Sequence, residues 1–104
     1  MTGLTDGSNF GARDTSGQRF YGSSLSGRGR WARVPGIGIL WTDNQDSLQW
    51  AHADDSDSAQ LYAACKALHG LAAEGVPAPV AFEDLVAGYG VTPVTGNLRS
   101  MPRQ

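Results

Sequence analysis

The first thirty residues hold too little apolar surface to fold by themselves. They contain seven Gly, five Ser and three Thr against six large apolar side chains: Met1, Leu4, Phe10, Phe20, Tyr21 and Leu25. Ordering the backbone costs roughly 1–2 kcal/mol per residue, and such a stretch cannot recover that by burial. The self-sufficient core of this 104-residue chain must therefore come from about residue 30 onward. That leaves one small domain. The expected organisation is an extended arm over 1–18, a body over 19–91 and an irregular tail over 92–104.

Staples for so small a core are few. Cys65 is the only cysteine, so no internal disulfide is available, and a lone thiol suits a reducing compartment or simple burial. No charged-then-apolar leader follows Met1, and the longest apolar run, Gly36 to Trp41, falls far short of the roughly 20 residues a membrane-spanning helix needs. The expectation is a cytoplasmic or virion protein without a membrane partner.

Beyond the arm, three short alternating segments read as strands. Arg30–Val34 alternates in the manner of a half-buried strand, and Pro35-Gly36 marks a turn. Ile37–Thr42 is apolar enough to be central, and Asp43-Asn44-Gln45-Asp46 is turn chemistry. Leu48–His52 alternates again, and Phe20-Tyr21 could begin a further edge strand. The three tryptophans fall one per strand, which suits core or cross-strand packing.

Helical signals follow. Asp54, Asp55, Ser56 and Asp57 crowd a helix start, and Asp57 with Gln60 resembles a capping box. Leu61, Ala64, Cys65, Leu68, Leu71 and Ala72 recur along one face. Gly75 stands where a C-terminal cap belongs, and Pro77 and Pro79 are read as forbidding continuation. A shorter helix is predicted over Ala81–Gly88, with Phe82, Leu85, Val86 and Tyr89 on one face. The fold class is α+β: a small antiparallel three-strand sheet, a packed long helix and a short second helix, with an extended N-terminal arm.

No catalytic, cofactor or metal constellation emerges. Cys65 and His69 are neighbours at i, i+4, yet Cys65 lies within the apolar stripe, where a cysteine behaves as a small inert hydrophobe. The acids around Asp54 lack the frame of a calcium loop and are explained by capping. No phosphate-cradling glycine motif is present, so the expected class is non-enzymatic.

Charge is distributed unevenly. Residues 1–42 carry +3 and residues 43–104 carry −5, within a net charge of −2. A basic front and an acidic back can complement each other within a chain or between neighbours. Arg28, Arg30, Trp31 and Arg33 form the one patch suited to phosphate or carboxylate, with a stacking surface beside it. The order of a Gly-Arg-Trp strand, a Trp strand and an Ala-rich helix ending Leu68-His69-Gly70 resembles in outline the plant-type three-strand-and-helix DNA-binding domains. That resemblance implies a sheet-based reader of nucleic acid, although the third strand here leads into acids that repel a phosphate backbone.

The first expectation is an assembly protein whose arm contacts other subunits, of the same or a different kind. The expected partner contacts are Phe10, Arg13, Phe20, Tyr21, Arg28, Arg30, Trp31 and Arg33. Its most concrete form is a bacteriophage virion component that stabilises a capsid. The alternatives are nucleic-acid binding through the Arg/Trp strand, and a small inhibitor or adaptor acting through the acidic surface at Asp54, Asp55 and Asp57.

Overall fold

The computed structural model describes residues 21–102. Four strands and two helices form an α+β fold in the order β1 (Arg28–Val34), β2 (Gly38–Thr42), β3 (Leu48–Ala51), α1 (Ser58–Ala73), α2 (Ala78–Tyr89) and β4 (Val94–Asn97). The sheet is antiparallel throughout, with spatial order β3-β2-β1-β4. It therefore has four strands rather than three. The fourth comes from the tail expected to be irregular, where Val94 is the only large apolar residue of the strand and no alternation announces it. The strand forms because it pairs with the free side of β1, Val94 opposite Trp31 and Asn97 opposite Arg28. Gly96 permits this closely: a Cβ there would come within 2.9 Å of the Trp31 ring.

Alternation sorts the strand side chains onto two faces. Ala32, Val34, Leu40, Leu48 and Trp50 face the helices and join Leu68, Ala72, Ala81, Phe82 and Val86 in the main core. The opposite face carries Ile39 and Trp41, covered in part by Leu98 and Met101, with Leu25 and Trp31 packed against them. β2 is buried along its whole length, as a central strand must be. The stripe on α1 divides in two: Ala64, Leu68 and Ala72 are fully buried, while Leu61, Cys65 and Leu71 pack at its margin.

The start of α1 realises half of the expected capping box. The Asp57 carboxylate accepts from the Gln60 backbone N–H at 3.0 Å. The reciprocal bond is replaced, because the Asp57 N–H donates to the Gly36 carbonyl at 2.8 Å and ties the helix start to the β1–β2 turn. Replacing Asp57 with alanine removes the cap acceptor and should cost about 1 kcal/mol in chemical denaturation. At the other end, Gly75 at φ 83° donates to Ala72 O and Val76 to Leu71 O, a Schellman closure.

α2 begins three residues before the predicted start. Pro77 caps it and Pro79 lies in its first turn. The first N–H groups of a helix have no intrahelical acceptor, so a proline there costs nothing. Pro79 opens α2 as well as barring the extension of α1. Tyr21 begins no named strand. Gly22 makes a single parallel bridge to Ser47 at the outer side of β3.

Candidate functional site

β1 carries the residues of the expected patch, and its pleat sends them to opposite faces. Arg30 projects to the helix side. Its guanidinium lies 4.9 Å from the Phe82 ring centre, donates to Glu83 at 2.9 Å and donates through Nε to Asn44 at 2.7 Å. Arg33 donates to Asp55 at 2.8 Å. Both cations are therefore matched by carboxylates of the same chain. Arg28 is exposed at the start of β1. The patch is thus not one continuous basic surface. Two of its three arginines make ion pairs within the body.

Tyr21 is buried rather than presented to a partner, and its hydroxyl donates to the Val76 carbonyl at 2.6 Å. The other expected arm contacts, Phe10, Arg13 and Phe20, lie outside the described residues.

Trp31 faces away from Arg30 and shares its side of the sheet with Arg33. It lies on the far face of the sheet, half-buried, opposite Trp41 on β2 and Val94 on β4. Together with Arg33, Ile39, Val91 and Val94 it lines an open groove of about 490 Å³. That size is within the range of pockets that take a small ligand or a short peptide segment. Val94 is 51% exposed at its margin, and among the described residues Arg33 supplies the one charged group in its lining.

Beside the groove runs the outer edge of β4. The Leu98 N–H donates to Gly27 O at 2.9 Å, in register with the Gly29–Gly96 and Trp31–Val94 pairs. In an antiparallel ladder alternate residues turn their polar groups inward. Gly96 and Val94 thus face β1, and Thr95 directs its N–H and C=O away from the sheet. At the opposite edge the chain at Gly22 covers the start of β3, with Leu48 N–H donating to Gly22 O at 3.0 Å. That cover ends at Leu48, whereas among the described residues no chain pairs with the outer side of β4 at any position.

The acids near α1 have structural roles. Asp55 accepts from the Gly36 N–H at 3.0 Å and from Arg33. These contacts, the Gly36 bond foremost, hold its carboxyl below the ordinary aspartate range against a smaller opposing effect of desolvation. Because its pKa is depressed on folding, its contribution is present above the unfolded-state value near about 4 and is lost as pH falls through the folded value. Asp55→Asn should therefore be less stable than the parent at neutral pH. The gap should close on acidification from about pH 5 downward, as read by urea denaturation across that range.

Cys65 is half-buried, and desolvation raises its thiol pKa, which keeps it protonated at neutral pH. No group of three or more His, Cys, Asp or Glu side chains among the described residues is placed to hold a metal ion. Nor is any described helix long and apolar enough to cross a membrane. One polar atom lacks its complement: the Trp50 indole N–H is buried with no hydrogen-bond partner among the described residues. The Trp50 ring meets Tyr89 edge-on, 5.9 Å between centres.

Compared with known proteins, the chain matches no family model, no curated protein sequence and no solved structure. Sequence reasoning found Trp31 and Arg33 but assigned them to one patch with Arg28 and Arg30. The groove escaped it, since its lining comes from β1, β2, the α2–β4 connection, β4 and Pro102.

Proposed function

We propose that the protein is a non-enzymatic assembly component that joins protein partners through residues 1–20 and through the open face of its sheet. The observation that supports this most directly is the apolar groove at Trp31, Ile39 and Val94 lying against the free edge of β4. A free strand edge invites main-chain pairing by an extended segment, and an adjoining apolar groove adds side-chain selectivity. Left unpartnered, such an edge is a liability; in an assembly it is a joint. With Arg30 paired to Glu83 and Arg33 to Asp55 within the chain, the uneven charge of +3 in residues 1–42 and −5 in residues 43–104 falls to +1 and −3, which lends association between copies only minor support.

The specific form we give this reading is a virion component of a bacteriophage, of the capsid-stabilising kind. Its support is the small body, the Gly/Ser/Thr-rich N-terminal segment and the charge asymmetry. Light scattering of the full chain over a concentration series tests the general reading. A multimer is expected, falling to monomer when residues 1–18 are deleted while the circular dichroism of the body is retained. A full chain that is monomeric at every concentration, or a multimer indifferent to the deletion, would overturn it.

A further inference from the structure

We propose that the groove beside β4 receives residues 8–14 of a second copy of this chain, with Phe10 against Trp31 and Val94, and Asp14 against Arg33. This rests on the assembly reading above and names its partner. The open edge supplies the main-chain half of the interaction. Thr95 turns its N–H and C=O outward, so an extended segment can bond to it while alternate side chains drop towards the groove.

The sequence pattern supplies the other half. Residues 1–20 contain no proline, so none of them lacks the backbone donor that strand pairing needs. Positions 8, 10, 12 and 14 are Ser, Phe, Ala and Asp. In an extended chain these share one side, offering a large ring, a small residue and a carboxylate in that order. A segment laid antiparallel to β4 runs in the direction of β1. Phe10 then precedes Asp14 in the direction in which Trp31 precedes Arg33, by four residues against two, roughly 13 Å against roughly 7 Å, and the long Arg33 side chain spans the difference.

The chemistry of each contact fits. Phe10 enters a lining dominated by Trp31, Ile39, Val91 and Val94. Arg33 uses Nη2 for Asp55 and keeps a side chain that is 47% exposed. A guanidinium carries five N–H donors in a planar fork, so a second carboxylate can be taken without releasing the first.

Reach identifies the source as another copy. Asp14 and Tyr21 are seven residues apart, at most about 25 Å when fully extended. Tyr21 is fixed to Val76 by its hydroxyl, and Gly22 runs outside β3. From there to the outer side of β4, where the docked segment lies, the path crosses five inter-strand spacings, roughly 24 Å, and about four residues of strand rise, roughly 13 Å, a straight line of roughly 27 Å. It must also pass from the edge onto the far face. A chain's own segment has no slack for that route, whereas a neighbour's is unconstrained. Docking of this head-to-tail kind closes a ring or propagates, as heterologous contacts do.

In a Cys65→Ala background, chains carrying Phe10→Cys are mixed with chains carrying Val94→Cys under mild oxidation. The expected result is a covalent dimer formed at least about tenfold faster in the mixture than by either chain alone, because docking raises the effective thiol concentration. In light scattering, Val94→Glu should lose the multimer with an unchanged circular dichroism spectrum. The proposal is overturned if the mixture cross-links no faster than the separate chains. It is equally overturned if a chain bearing both cysteines closes on itself as a monomer at high dilution and gives no intermolecular product. In either case, a multimer that still depends on residues 1–18 leaves the assembly reading standing with another occupant for the groove. A full chain that is always monomeric overturns both.

Discussion

Phe82→Ala should destabilise the protein by about 3–5 kcal/mol, a cost in the range measured for deleting a large buried aromatic ring. Phe82 is completely buried, on the face of α2 that meets the sheet. Its ring does two jobs at once. It fills the space between α2 and the helix-side strand residues, and it lies 4.9 Å beneath the Arg30 guanidinium. Truncation leaves a cavity and also removes the aromatic platform from a cation whose side chain is only 19% exposed. Small domains have about 5–15 kcal/mol in total, so this one change threatens the fold at physiological temperature. Phe82→Leu keeps most of the volume and should cost about half as much or less. Urea denaturation of the two variants provides the check, and a cost under about 1.5 kcal/mol for alanine would show that the α2–sheet contact is looser than described. Trp31 faces the other side of β1, so the groove should suffer from Phe82→Ala only through global unfolding.

That division of β1 into two faces shows how far the sequence carries. The alternation Arg30-Trp31-Ala32-Arg33-Val34 identified a strand, and the apolar run after Pro35-Gly36 identified a central one. Both are local signals, and both strands form where local chemistry places them. The α1 stripe was legible for the same reason, since i, i+3, i+4 spacing is fixed by helix geometry alone. α2 was located but started late, because proline stops a preceding helix and also opens a following one, and position alone separates the two roles. β4 was not legible. Val94-Thr95-Gly96-Asn97 has no propensity pattern of its own and becomes a strand only because β1 offers an unpaired side and Gly96 leaves room for Trp31.

The site was less legible than the fold. Residue type suggested that Arg28, Arg30 and Arg33 act together, but their charges are settled by contacts far apart in sequence. Glu83 lies 53 residues from Arg30 and Asp55 lies 22 from Arg33. No local rule foretells such pairs. The same holds for the groove, where Trp31 meets Val91 and Val94 only after β4 has paired. What composition could show was an aromatic among arginines on a strand; that Trp31 and Arg33 share one face while Arg30 turns to the other follows from the pleat.

The β1–β2 corner carries the second large effect. Gly38→Ala should cost about 3 kcal/mol or more, from two sources that add. Gly38 sits at φ 141°, a backbone conformation that L side chains rarely adopt. A Cβ built there also collides with the Ala51 backbone carbonyl on β3, which cannot swing away as a side-chain tip would. The adjoining pair Ile39–Ala51 closes the β2–β3 ladder, so relief requires prising the strands apart or turning the corner differently. The corner is also held from below: Asp57 N–H donates to Gly36 O, and Ser56 Oγ donates to Ile37 O at 2.9 Å. Any shift that relieves Gly38 therefore strains the start of α1 as well. Ile39 lines the groove beside this corner, so the variant should also weaken the docking proposed there, even at temperatures where it stays folded. Gly88→Ala supplies the contrast. It lies within α2 with nothing near the added carbon, and there alanine should stabilise by about 0.5–1 kcal/mol. Opposite signs at the two glycines, read by thermal denaturation, would establish that close backbone approach at the corner, and not glycine as such, sets the shape of the sheet face that carries the groove.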